Sequence, residues 1–303
     1  MMKFFFGLLT IVILASPGSV DAQTTSGYRP GVLFLYGATS DSDGVVSKDT
    51  ASLIPIAIIT SGKLEEPNPY TTDAKKEFAS QQRFIKHYYD SDSAYVVASD
   101  GVIVDALHNV KAEPPDTSNE ERLFLEARLP ASKRITLLNF VDWRLAGSRS
   151  LFSNEAKRSG ASISIDTAGV FTAAKKIFRS KTKAQLDLEH FEEEQVAASN
   201  LGTDTNYILA TFLTEFNKKG KAYALFMILR EQQKSLVPEY VNLQEQDDES
   251  SPMLGGFIGE FNIDNDPTNE IVVRNARGEV SGVAIMKRLA GKWKVVYHYY
   301  YSG

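Results

Sequence analysis

Oxygen-bearing side chains recur at every second position in FNIDNDPTNEIVV, residues 261–273: Asn262, Asp264, Asp266, Thr268 and Glu270. Ile271, Val272 and Val273 follow as an apolar run, so the alternation leads into a strand. A hard divalent cation such as calcium takes about six to eight oxygens at short range. A tight loop can aim alternate residues inward and so gather these five. Asp and Asn also favour ordinary turns, because their side chains bond to nearby backbone. A calcium loop and a dry polar turn are both open readings of this stretch.

Other chemistry finds less support. The histidines are His87, His108, His190 and His298. No two of them stand at a spacing that would set both on one helical face around zinc. There is no G-x-S-x-G elbow, no P-loop and no G-x-G-x-x-G after a strand. In DLEHFEEE, residues 187–194, a helix would bring His190 and Glu194 together, but a solvated acidic face explains the run with less. YGATSDSDGVV offers Asp41, Asp43 and Gly44 without a following acid, and reads as a polar turn. In KWKVVYHYYYSG, Trp293, Val295, Tyr297, Tyr299 and Tyr301 fall on one face of a strand, and Lys294, Val296, His298 and Tyr300 on the other. That aromatic face is either a core face or a platform for sugar rings.

The elements that must carry these residues are mostly strands. AYVVASDGVIVDAL reads as a hairpin about Asp100-Gly101, since a two-residue turn needs positive φ at both centres. Asn206 to Phe216 and Lys221 to Arg230 form a second, turning at Lys219-Gly220, with apolar residues on both faces, as in a sheet covered on two sides. Further strands are expected at Leu53–Ile59, Arg122–Leu129, Arg134–Val141 and Pro238–Leu243. A last pair, Val280–Lys287 and Trp293–Tyr301, turns at Ala290-Gly291. Helices are expected within residues 71–89 and somewhere in 184–198. The fold class is mainly β: antiparallel sheets, sandwich-like or meander, with one or two short helices. The expected division is a β-rich N-terminal domain over 23–200, with a candidate linker at 112–121, and an antiparallel β module over 201–303.

Residues 1–22 read as a signal peptide: Lys3, an apolar run from Phe4 to Ala15, a Pro-Gly break, and small residues before Gln23. The run is shorter than the roughly 18 residues that span a bilayer, so the expected location is secreted or periplasmic, not membrane-spanning after cleavage; an uncleaved N-terminal anchor is the alternative. The 303 residues include no cysteine, which excludes disulfides, thiolate metal sites and a cysteine nucleophile. The net charge is −5, and the one basic cluster, Lys175 to Lys183, runs directly into acidic residues. Nucleic-acid binding, which needs a concentrated positive footprint, is therefore not expected.

The loop at 262–270 resembles the calcium loop of FG-GAP (integrin-type) and VCBS repeats, D-x-D-x-D-G-x-x-D followed by a strand. The resemblance covers about 40 residues from Gly255 in a single copy, with Asn262 in place of the usual acid and Pro267 in place of the usual glycine. It implies Ca2+ as ligand, with side-chain oxygens from Asn262, Asp264, Asp266 and Glu270 and the backbone carbonyl of Thr268. Families with such loops are mostly extracellular binding, adhesion or carbohydrate-associated proteins. The expected function is an exported, non-catalytic β-rich binding or structural protein with a protein or carbohydrate ligand. The alternative is an exported hydrolase acting on a polymer such as a glycan, its catalytic carboxylates not located.

Overall fold

The computed structural model describes residues 31–40, 46–60, 62–67, 95–99, 102–112, 125–128, 144–152, 164–182, 191–214, 221–233, 235–246, 253–264, 266–276 and 280–302. The chain is mainly β, as its alternating patterns imply. Among the described residues there are three antiparallel sheets, one α-helix and one turn of 3-10 helix.

The N-terminal sheet holds β1 (Gly31–Ser40), β2 (Val46–Thr60), β3 (Lys63–Glu65), β4 (Tyr95–Ser99), β5 (Val102–Ala106), β6 (His108–Ala112), β7 (Leu125–Arg128) and β8 (Arg144–Ser148). Its order is β5-β4-β8-β1-β2-β7-β6, with β3 added to β2. Val32 to Tyr36 are all fully buried, the mark of a central strand covered on both faces. Pro55 in β2 has no N–H to give a partner strand. It is accommodated at a bulge, where Leu33 pairs with Ala57 and Phe34 with Pro55. β4 and β5 pair at Ser99 and Val102, as the Asp100-Gly101 signal predicts. Ala112 pairs with Leu125, so the candidate linker at 112–121 connects neighbouring strands of one sheet.

The middle sheet is a meander, β12-β11-β10-β9, of β9 (Phe191–Ser199), β10 (Tyr207–Thr214), β11 (Ala222–Gln232) and β12 (Ser235–Gln246). β10 and β11 pair as a hairpin from Tyr207↔Arg230 to Leu213↔Ala224, and the expected turn at Lys219-Gly220 lies outside the described residues. Helix α1 (Thr167–Thr182) lies on one face of this sheet. Asp166 caps it, its carboxylate accepting the Gly169 N–H at 3.0 Å. Val170, Ala174 and Phe178, spaced at i, i+4 and i+8, form the buried helix face: the first two pack with Ile208, Ala210, Phe212 and Met227, and Phe178 meets Tyr223 edge-on.

The expectation of a helix somewhere in 184–198 is corrected over 191–198, while 184–190 lie outside the described residues. Residues 191–199 are β9, and the helix lies upstream, in the segment carrying Lys175, Lys176, Arg179 and Lys181. Long-range pairing decides the matter: β9 runs along β10 from Ser199↔Tyr207 onward, with Val196 and Ala198 turned to the helix-covered core. The same pairing carries the middle sheet across the expected boundary at 200/201. The helix expected within 71–89 and the strand expected at 134–141 lie outside the described residues.

The C-terminal sheet is the meander β13 (Met253–Phe261), β14 (Glu270–Ala276), β15 (Val280–Leu289) and β16 (Lys292–Ser302). β15 and β16 turn through Ala290 (φ 49°) and Gly291 (φ 78°), both left-handed, as a two-residue hairpin requires. Each face of this sheet packs against another sheet. Ile271, Val273, Ala284, Met286 and Trp293 pack with Tyr207, Leu209, Phe226 and Ile228 of the middle sheet. Val272, Val283 and Ile285 pack with Leu33, Leu35, Ile54 and Ile56 of the N-terminal sheet. The layers therefore run helix, middle sheet, C-terminal sheet, N-terminal sheet, in a sandwich-like stack. No helix among the described residues is long and apolar enough to cross a membrane.

Candidate functional site

The alternating loop connects β13 to β14 and lies at one end of the C-terminal sheet. Its carboxylates divide their oxygens between two tasks. Asp264 Oδ1 accepts the Asp266 N–H at 3.3 Å, Asp266 Oδ1 accepts the Thr268 N–H at 2.8 Å, and Glu270 Oε2 accepts the Ile263 N–H at 3.0 Å. The remaining oxygens converge on one side chain. Lys287 Nζ lies 2.6 Å from Asp264 Oδ2, 3.2 Å from Asp266 Oδ2 and 2.5 Å from Glu270 Oε1. An ammonium has three N–H donors, and three carboxylates surround this one.

Strand periodicity explains why a lysine sits there. On β15, Val283 and Ile285 face the N-terminal sheet, and Lys287 continues that face by two residues. On β14, Val272 does the same, and Glu270 precedes it by two. The register Ile271↔Met286 then sets Glu270 and Lys287 beside each other across the two strands. Glu270 is fully buried while Lys287 is 13% exposed, so the pair sits where the apolar face meets solvent.

Burial pushes the Glu270 carboxyl above its ordinary value, and hydrogen bonding and charge from Lys287 offset this only in part. Burial alone would lower the Lys287 ammonium. Its bonds to Asp264, Glu270 and Asp266 outweigh that, and hold it above the ordinary lysine value.

The loop also ties three layers together. The Asn262 N–H donates to the Leu151 carbonyl at 2.9 Å, just after β8 of the N-terminal sheet. The Asn269 N–H donates to the Leu201 carbonyl at 2.8 Å, in the β9–β10 turn of the middle sheet. That turn needs positive φ at Leu201 (48°) and Gly202 (77°), and a Cβ on Gly202 would stand 2.9 Å from Asn269 Oδ1. Ser199 at the end of β9 donates to Glu260 Oε2 at 2.6 Å and accepts the Leu201 N–H at 2.9 Å, both partners buried.

Of the five expected ligand residues, the fold brings Asp264, Asp266 and Glu270 together: one oxygen of each lies within 4.8 Å of the others. Hard carboxylate oxygens in this number suit a divalent cation by type, so the triad could bind a metal ion. Asn262 braces the loop, its amide nitrogen donating to the Asp266 carbonyl at 2.9 Å and to Asn269 Oδ1 at 3.2 Å. Thr268, nearly buried, meets Asp266 through its N–H. Sequence reading missed Lys287, Leu151, Leu201 and Asn269. The available signal was a charged residue in inward register at the end of the strand containing Val283 and Ile285.

The C-terminal aromatic face expected from the alternation is corrected: a bulge at Val296, where Ile285 pairs with Tyr297 and Met286 with Val295, turns Trp293 and Tyr297 to opposite sides of the sheet. Trp293 is buried against the middle sheet, and Tyr297 and Tyr299 pack against the core shared with the N-terminal sheet. The Tyr297 hydroxyl donates to the Ile56 carbonyl at 2.9 Å, linking β16 to β2. Lys294, Val296, His298 and Tyr300 are exposed, with the last two rings stacked. Asp41, Asp43, Gly44 and His190 lie outside the described residues, and Glu194 lies on strand β9.

A second ionic cluster joins the middle and C-terminal sheets. Pro238 breaks the ladder of β12, so Leu229 pairs with Pro238 and Ile228 with Tyr240, leaving Glu239 as the bulged residue. The bulge aims Glu239 at two arginines. Arg230 Nε lies 2.7 Å from its Oε1, and Arg288 donates through Nε (3.0 Å) and through a terminal nitrogen (3.1 Å) to its two oxygens.

Comparison with family models, with curated proteins and with solved structures finds no match to this chain.

Proposed function

We propose that this protein is an exported, non-catalytic β-rich binding or structural protein whose C-terminal loop is a cation-held junction. One observation carries the reading: every carboxylate of the loop has one oxygen on loop backbone and the other on the Lys287 ammonium. Groups committed in this way hold a shape and are not presented to a substrate. Glu270, the most buried of them, has both oxygens in use. The loop's backbone bonds to Leu151 and Leu201 extend that shape to the layers on either side.

Calcium, the ligand implied by the resemblance to FG-GAP and VCBS loops, suits the oxygen donors by chemistry. Export rests on the charged, apolar and small-residue pattern of residues 1–22. Protein isolated from its native host should begin at Gln23.

The test of the non-catalytic reading pairs stability with turnover. Asp264→Ala should lower the melting temperature by several degrees, and the unmodified protein should release no sugar from a panel of polysaccharides. Turnover that Asp264→Ala abolishes without changing the melting temperature would reverse the assignment in favour of a hydrolase.

A further inference from the structure

We infer that Lys287 is the resident cation of this loop, and that its ammonium closes to calcium a site which the same carboxylates would otherwise offer. The inference rests on the junction reading above and adds the identity of the ion. Three observations carry it.

The first is place. Lys287 Nζ is within hydrogen-bonding distance of Asp264 Oδ2, Asp266 Oδ2 and Glu270 Oε1, the three oxygens not already bonded to backbone. It is a stand-in ion at the point where these oxygens converge. The second is origin. Lys287 comes from β15, not from the loop, and reaches the cluster because its strand register directs it there. The loop therefore gathers its acids around a charge delivered from outside, as it would around a free ion. The third is exclusivity. Calcium binds oxygens at about 2.3 to 2.6 Å. An ion that close to all three oxygens would coincide with the ammonium, and two positive charges cannot share one cradle.

Calcium could enter only if Lys287 withdrew. Withdrawal breaks three charge-assisted hydrogen bonds from an ammonium that is mostly buried. A covalently tethered cation also keeps a fixed effective concentration, whereas calcium loops of extracellular modules fill only at about 10⁻⁴ to 10⁻³ M. The loop is thus closed at the roughly millimolar calcium at which such sites fill. With Lys287 gone, Asp264 and Asp266, which are 16% and 33% exposed, would leave a path for an ion and its waters.

The experiment is calcium titration of the full-length protein and its variants, by calorimetry and by unfolding in chelator or in calcium chloride. The unmodified protein should give no binding heat and the same unfolding midpoint in both. Lys287→Ala should bind calcium: with a dissociation constant of about 1 mM, 10 mM calcium should shift its unfolding equilibrium about tenfold toward the native state. Adding Asp264→Asn should remove that shift. Should Lys287→Ala fail to fold in chelator, recovery in calcium supports the inference equally. Lys287→Gln, which keeps a hydrogen-bonding head without the charge, is the second variant. Two outcomes overturn the inference: an Asp264-dependent calcium response in the unmodified protein, or no response in both Lys287 variants. Neither bears on the junction itself, which fails separately if Asp264→Ala leaves the unmodified protein's melting temperature unchanged.

Discussion

Replacing Lys287 with methionine keeps most of the side chain's apolar stem and removes its charge, leaving three carboxylates without their cation. The cost can be apportioned from burial. Asp264 and Asp266 are partly exposed and can recover water, whereas Glu270 has no exposure and its Oε1 loses its bond to Lys287. Removing one partner of a buried ion pair costs about 3–5 kcal/mol, because the other charge stays buried. The two hydrated aspartates place the expected loss near the low end, about 3 kcal/mol. For a chain of about 300 residues that corresponds to a fall in melting temperature of about 5 °C.

The assay is urea denaturation in chelator, run as a cycle with Glu270→Gln. In the Glu270→Gln background the same lysine substitution should cost less than half as much, since no buried carboxylate is left uncompensated. pH supplies a second axis. Glu270 has a folded-state pKa above its unfolded value, so its ionisation costs native stability, and the cost grows as pH rises through the window between the two. Without Lys287 that window extends upward, and Lys287→Met should regain stability as the solution is acidified from neutrality toward pH 5. Lys287 itself, with its pKa raised, stabilises fully below the unfolded lysine value and loses that contribution only as pH rises through the folded one. A loss under about 1 kcal/mol, or an equal loss in the Glu270→Gln background, would refute the claim that the ammonium and the buried carboxylate stabilise each other.

Glu239→Ala should cost about 2–3 kcal/mol, because the two arginines it separates are about a third exposed and can turn partly to water; urea unfolding beside Arg288→Ala should show the two losses to be less than additive. Gly202→Ala should destabilise by about 1–2 kcal/mol through its left-handed backbone alone, and the crowding of Asn269 should appear as faster hydrogen exchange at the Asn269 N–H. Phe212→Ala, beneath helix α1, should cost about 3–5 kcal/mol in unfolding free energy.

Local pattern by itself determined the β character, the Asp100-Gly101 and Ala290-Gly291 hairpins, the two-sided burial of β10 and the convergence of Asp264, Asp266 and Glu270. Each is written within a few residues, in period-two alternation or in turn chemistry, and needs no distant partner to be read. Tertiary structure decided the rest. The segment 191–198 became a strand because β10 offered a full ladder of partners, which local periodicity cannot express. Tyr297 and Tyr299 packed against the core because a sheet formed some 240 residues earlier in the chain covers them. Lys287 became the loop's cation because the pairing of β14 with β15 sets it beside Glu270. The acids that need a counter-charge are legible in one stretch of sequence. The charge that answers them comes from another strand, and only the register between the two strands makes the introduction.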